Sequence, residues 1–348
     1  MGDLAGKPVD HKSAARTLRF ALLFNERTSF INKNNVDPVS RLDPALDDLV
    51  PAGAVLEKVV DGFEFTEGPV WMPGTDARLY FSDIPGNKTY SWTDAGGLST
   101  IIDPVFADDA DEGTFIGSNG LGIDASGKLI LCEHGNRVVS RLEDDGSRTT
   151  LADNFKGKRL NSPNDIVYHS SGTAFFTDPP YGLPKLDDDP AKELDFNGIY
   201  RLDTDGTLSL LHSEMALPNG VALSPDERSL YVSNSDWPKN AILMRFPVLD
   251  DLTLGEGSLF FDTGHLMGDS YNGTPDGFKV DRAGNVFTTG PDGVLVIDKH
   301  GKHLGTIVMP EVAANVGWGD DGKTLYITAT TSLYRIRLST DGLNYRKH

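Results

Sequence analysis

The sequence predicts an all-β chain, a six-bladed β-propeller of four-stranded antiparallel blades preceded by an N-terminal extension. The first observation behind this is a repeat. FTEGPVWMPGTDARLYFSD, IGSNGLGIDASGKLILCEH, NSPNDIVYHSSGTAFFTD, LPNGVALSPDERSLYVSN, TPDGFKVDRAGNVFTTG and AANVGWGDDGKTLYITA are six copies of one hairpin. The second is grammar: from Val55 onward, short apolar strands alternate with Gly, Asp, Asn and Pro turns, as in all-β chains. The third is register. Aligned on their strands, the copies place Glu67, Asn119, Asn164, Asn219, Asp276 and Asn315 at one equivalent position, just before an apolar strand. Six copies imply a closed radial array, in which equivalent residues converge on the axis.

In chain order, residues 1–54 lack the repeat and read as an extension lying on or beside the main domain, with one helix around Ala14–Asn25. Residues 55–348 form the propeller. The strand LEKVV at 56–60 precedes the first full repeat and is placed to complete the last blade, closing the ring. The second repeat supplies four strands, GLGID, KLILCEH, RVVSRLE and SRTTLAD; the fourth supplies GVALS, SLYVSN, AILMRFPV and GSLFFD. Third strands such as GIYRLD (198–203) and SLYRIRL (332–338) mix apolar and basic residues, which suits a strand with one exposed face. From the ring residue to the end of the second strand is 16 residues at Asp83, 15 at His134, 14 at Asp178 and 15 at Asn234. Hairpin strands return to the same end, so these four residues belong at the rim that holds the ring. The longest irregular insertions, 104–118, 179–197 and 262–275, lead into or out of ring positions, where binding loops are usually found.

Composition narrows the function. The chain has 348 residues, 39% hydrophobic and 24% charged, which suits a soluble globular protein with a substantial core. Its net charge of −19 repels phosphate backbones, so nucleic acid is a poor partner. No stretch approaches the roughly 20 apolar residues of a membrane span, and FALLF at 20–24 makes a poor signal peptide. The cytoplasm is the default location. The single Cys132 excludes a disulfide framework and a cysteine zinc cage; in KLILCEH it reads as a packed thiol.

Each ring residue taken singly has a plain reading, because Asn-Gly and Asp-Gly are common turn dipeptides. Turn chemistry does not require one position in every repeat, and Glu67 is not a turn residue. Two carboxylates and four amides on one axis make a ring of oxygens that suits a divalent cation. Calcium is the first choice, with magnesium, manganese or zinc as alternatives. A cation with open coordination at a cavity mouth polarises a carbonyl. No Gly-x-Ser-x-Gly elbow, phosphate loop or dinucleotide fingerprint competes with metal-assisted hydrolysis.

The motifs EGPVW (67–71), NSPNDIVYHSSGTAFFTDPPYG (161–182), LPNGVALSPDERSLYVSNSD (217–236) and TPDGFKVDRAGNVF (274–287) resemble the SMP-30/gluconolactonase/luciferin-regenerating-enzyme family. The resemblance spans about 55–340, and SPND followed by TDPPYG is most similar to its microbial gluconolactonases. It implies a six-bladed propeller with a divalent cation in the central channel that hydrolyses sugar lactones. It implies Glu67, Asn219 and Asp276 as metal ligands and Asn164 as a ligand to metal or substrate. One departure stands out: Ser162-Pro163-Asn164 replaces the Arg-x-Asn whose arginine contacts sugar in animal members.

The expected chemistry is hydrolysis of a small-molecule lactone to its aldonic acid. Asp276 is the expected general base, Asn119 and Asn164 contact substrate, and His134 has a catalytic or substrate role, with a structural histidine as its alternative. A metal-bound water attacking directly is an equal version. The rival readings are a promiscuous metal-dependent esterase or organophosphate hydrolase and a non-catalytic calcium-binding propeller. The acidic loop Asp187-Asp188-Asp189 reads as solvated.

Overall fold

In the computed structural model, residues 37–111, 113–268 and 272–343 are described. The expected helix at 14–25 and most of the extension lie outside them. The remainder forms six antiparallel sheets around an axis, plus a two-stranded hairpin, Asn154–Phe155 with Lys158–Arg159. Blade 1 runs Thr66–Met72, Arg78–Asp83, Lys88–Thr93 and Gly97–Ile102 from axis to edge. Blades 2, 3 and 4 begin at the inner strands Ser118–Ile123, Ile166–Tyr168 and Pro218–Leu223. Blade 5 begins at Phe278–Val280 and blade 6 at Ala313–Gly319.

The ring closes as the sequence suggests. Repeat six supplies three strands, and Leu56–Asp61 pairs antiparallel with Ser332–Arg337 as the fourth. Pairing the first propeller strand with the last blade satisfies an edge that would otherwise be left open. A further strand was not expected. Val39–Arg41 adds to the outside of blade 5, with Val39 opposite Ile307, so part of the extension belongs to a five-stranded sheet. The reason is local: a short β-compatible Val-Ser-Arg run meets an edge strand whose Gly305 leaves no side chain in the way, its notional Cβ lying 2.3 Å from the Ser40 carbonyl oxygen.

The core sits between blades rather than in one centre. Phe287, Val316, Trp318 and Ile327 pack between blades 5 and 6, and Ile130, Cys132, Phe176 and Tyr200 between blades 2 and 3. Cys132 is a packed thiol, and burial pushes its pKa well above the ordinary value. Among the described residues no helix is long and apolar enough to cross a membrane. Asp187 and Asp188 are exposed, as expected of a solvated loop.

Candidate functional site

The ring residues do not form turns. Glu67, Asn119, Asn219 and Asn315 lie one or two residues inside their innermost strands, and Asn164 and Asp276 lie two residues before theirs. The glycines that follow them answer to a different constraint. A Cβ on Gly68 would sit 2.2 Å from the Asn119 carbonyl oxygen, on Gly120 2.4 Å from that of Asn164, and on Gly220 2.3 Å from that of Asp276. Each therefore lets one inner strand touch the ring residue of the next blade. Only Gly68 among these three also needs a positive φ, at 59°. Register shifts at Glu67/Val70, Ser118/Leu121, Pro218/Val221 and Ala313/Asn315 mark bulges at this level in four blades, which turn side chains towards the axis.

Hydroxyl groups one strand out lock the same contacts. Ser82 Oγ donates to the Asn119 carbonyl at 2.8 Å, Thr177 Oγ1 to that of Asn219 at 2.6 Å and Ser233 Oγ to that of Asp276 at 2.7 Å. The rim residues Asp83, Asp178 and Asn234 have a shared structural job. Each accepts the backbone N–H of the residue two before its ring position: Phe65 at 3.0 Å, Ser162 at 2.8 Å and Leu217 at 2.8 Å. His134 breaks the pattern. Its Nε2 lies 3.2 Å from Asn119 Nδ2, so its ring meets a ring amide, and it also bonds the Phe115 backbone.

Four of the six side chains, those of Glu67, Asn219, Asp276 and Asn315, are brought together. Glu67 Oε2 accepts from Gly68 N at 2.5 Å and from Asn315 Nδ2 at 2.9 Å. Asn315 Oδ1 in turn accepts from Val316 N at 2.8 Å, so this amide orients Glu67. Asn219 Nδ2 donates to Ser235 Oγ at 3.0 Å, and Asn219 also hydrogen-bonds the Asp276 carboxylate. Ser235 Oγ donates to the Pro275 carbonyl at 2.6 Å, tying blade 4 to the segment that carries Asp276. The Asn164 backbone is held at both ends, by Thr177 O at 2.8 Å and Gly120 N at 2.7 Å.

Electrostatics mark the axis as strained in its charge. Burial first, then the neighbouring Asp165, raises the Glu67 pKa to about 7 against hydrogen bonds that lower it. Burial, then Glu67 and Asp165, pushes Asp276 well above the ordinary carboxylate range. Asp276 is partly accessible although densely surrounded. Burial lowers His134 to about 3, leaving a neutral imidazole at physiological pH.

Two axial residues escaped sequence reasoning. Asp165 occupies the position that glycine holds after four other ring residues, and it is buried: Oδ1 accepts from Ile166 N at 2.9 Å and Oδ2 from Val221 N at 3.3 Å. Lys279 Nζ lies 3.8 Å from Asp165 Oδ2. The missing glycine was a visible signal for Asp165; no periodicity marked Lys279. Ser162, standing where the animal arginine would be, is fully buried and clamps the next loop. It donates to the Pro179 carbonyl at 2.6 Å and accepts from Gly182 N at 2.9 Å.

Two carboxylates and three to four amide groups are a hard-oxygen donor set, and a cation there would relieve the buried charge of Glu67 and Asp276. Among the described residues no three His, Cys, Asp or Glu side chains gather as a metal cluster. A cavity of about 550 Å³ lies elsewhere, between 187–197 and 213–216, and none of the ring residues lines it.

Acids and amides thus stand together at the inner strands of a six-bladed propeller. The chain belongs to the SMP-30/gluconolactonase/LRE-like family, whose pattern matches residues 65–331. It is 35% identical to a gluconolactonase of Zymomonas mobilis over 324 residues, covering 90% of this chain and 89% of that protein. A solved gluconolactonase of Xanthomonas campestris superposes with a TM-score of 0.74 at 32% identity, covering 87% of this chain and 95% of that one. A calcium-binding regucalcin of Agrobacterium tumefaciens shares the fold at a TM-score of 0.65 and 18% identity, covering 83% of this chain and 95% of that one.

Proposed function

We propose that this protein hydrolyses a sugar lactone of the gluconolactone type to its aldonic acid, with a divalent cation, calcium first, held by Glu67, Asn164, Asn219 and Asp276. The observation that carries the reading is the axial pairing of buried Glu67 and Asp276 with ring amides, in a chain aligned along 90% of its length with a gluconolactonase. When bound, the cation would supply Lewis-acid polarisation of the lactone carbonyl and charge compensation for the two acids.

The chain's own groups do the rest. Asp276 takes a proton from water as the water oxygen adds to the carbonyl carbon. The Asn119 and Asn164 amides donate to the carbonyl oxygen as negative charge develops there. Neutral His134 holds Asn119 through Nε2 and so fixes the direction of that donor. The ring C–O bond then breaks, and the proton held by Asp276 passes to the leaving alkoxide. The loop clamped by Ser162, two residues before Asn164, would contribute to specificity.

Hydrolysis of glucono-1,5-lactone, followed by proton release, tests this. Activity should vanish on EDTA stripping and return when one of calcium, magnesium, manganese or zinc is added back. Turnover that survives complete stripping refutes the cation's role. Folded, cation-loaded protein that turns over simple esters or phosphotriesters but no lactone moves the assignment to the esterase reading.

A further inference from the structure

Beside the ring residue Asn164, buried Asp165 pairs with the largely buried Lys279. The Asp165 side chain is 3% exposed and that of Lys279 13%. Asp165 is fixed by the backbone N–H groups of Ile166 and Val221, and its charge acts on both Glu67 and Asp276. Lys279 Nζ donates to its neighbour's carbonyl, Phe278 O, at 3.1 Å, and its charge opposes the rise at Glu67. Glu67, Asp165 and Asp276 contribute three negative charges when ionised and Lys279 one positive, leaving the axis at minus two. A buried ion pair is seldom kept for stability alone, because desolvation offsets most of the attraction. Its charge acts at short range and at low dielectric on whatever occupies the ring.

We propose that Lys279 is a positioning residue that offsets Asp165, holding the axial charge at minus two and thereby limiting the ring's preference for trivalent over divalent cations. The proposal rests on the reading that the ring holds a cation. Neither residue needs to touch the ion or the substrate. What matters is the sum of charges on the axis, so opposite changes at the two positions should cancel.

The test is calorimetric titration of EDTA-stripped protein with calcium and with terbium, for wild type, Lys279→Met, Asp165→Asn and the double variant. Because Coulomb energy scales with ion charge, Lys279→Met should tighten calcium about a hundredfold and terbium about a thousandfold, raising the terbium preference about tenfold. Asp165→Asn should shift both affinities by similar factors the other way, and the double variant should return near wild type. Should Lys279→Met not fold, Lys279→Gln and Lys279→Arg carry the comparison: the preference rises in the first and stays at the wild-type value in the second. Affinities that do not follow the charge count, or a double variant no closer to wild type than either single one, overturn the proposal while leaving the cation site intact. A folded wild type that binds neither ion overturns both.

Discussion

Replacing Gly277 by alanine isolates one contact on which the axial site depends. The new Cβ would lie 1.8 Å from Asn315 Cγ, 2.0 Å from Oδ1 and 2.2 Å from Nδ2. That amide cannot step aside freely, because Nδ2 donates to Glu67 and Oδ1 accepts from Val316 N. The substitution therefore expels Asn315 and leaves Glu67 without its side-chain donor. Overpacking costs about 1–3 kcal/mol and a lost hydrogen bond to a charged group about 1.5–3 kcal/mol, so Gly277→Ala should cost about 3–5 kcal/mol. Asn315→Ala alone removes the same hydrogen bonds and should cost about 2–4 kcal/mol. In the double variant the clashing atoms are gone, so the total should match Asn315→Ala by itself. Urea denaturation of the four proteins in EDTA measures this cycle. Additive costs would mean that Gly277 is needed for some other reason, and the account of the ring glycines would fail.

Asp276→Asn should keep the fold and lower kcat by about 10²–10⁴, the range for a lost general base; unchanged kcat removes Asp276 from that role. His134→Ala should lower kcat/KM about 10–100-fold by freeing Asn119, as removal of a supporting hydrogen-bond partner does. Since burial keeps His134 neutral, with a pKa of about 3, no activity step between pH 6 and 8 should disappear with it. The folded pKa values of Glu67 and Asp276 are raised, so their contribution to the stability of cation-free protein is greatest below about pH 4.5 and is lost as pH climbs towards 7. Asp178 is raised to about 7 by burial as well, but it lies outside the proposed ligand set. Thermal midpoints in EDTA should therefore fall between pH 5 and 8, and added calcium should recover the Glu67 and Asp276 share but not that of Asp178. A calcium-induced rise in midpoint that is the same at both pH values contradicts this linkage.

Much of this was legible because a propeller writes its symmetry into the chain. Six hairpins in register place Glu67, Asn119, Asn164, Asn219, Asp276 and Asn315 together without any knowledge of contacts, and the orphan strand at 56–60 has one vacancy to fill. Local grammar misled where it was applied one residue at a time. Asn-Gly and Asp-Gly look like turns, yet here Gly120, Gly220 and Gly277 are small because the neighbouring blade is close. That constraint acts between residues about 40 to 55 apart in sequence and leaves no periodic trace beyond the glycine itself.

Sequence by itself determined the blade count, the closure and the shared repeat position of the six ring residues, since repetition is a property of the chain. Tertiary structure alone decided which neighbour each ring amide bonds. Asn315 is occupied by Glu67 and Asn119 by His134, although both occupy the same repeat position. It alone also placed Asp165 beside Lys279 and turned Ser162 into a clamp. The physical reason is that burial, charge pairing and hydrogen-bond direction depend on what the adjacent blade presents, and blades with nearly the same backbone present different side chains.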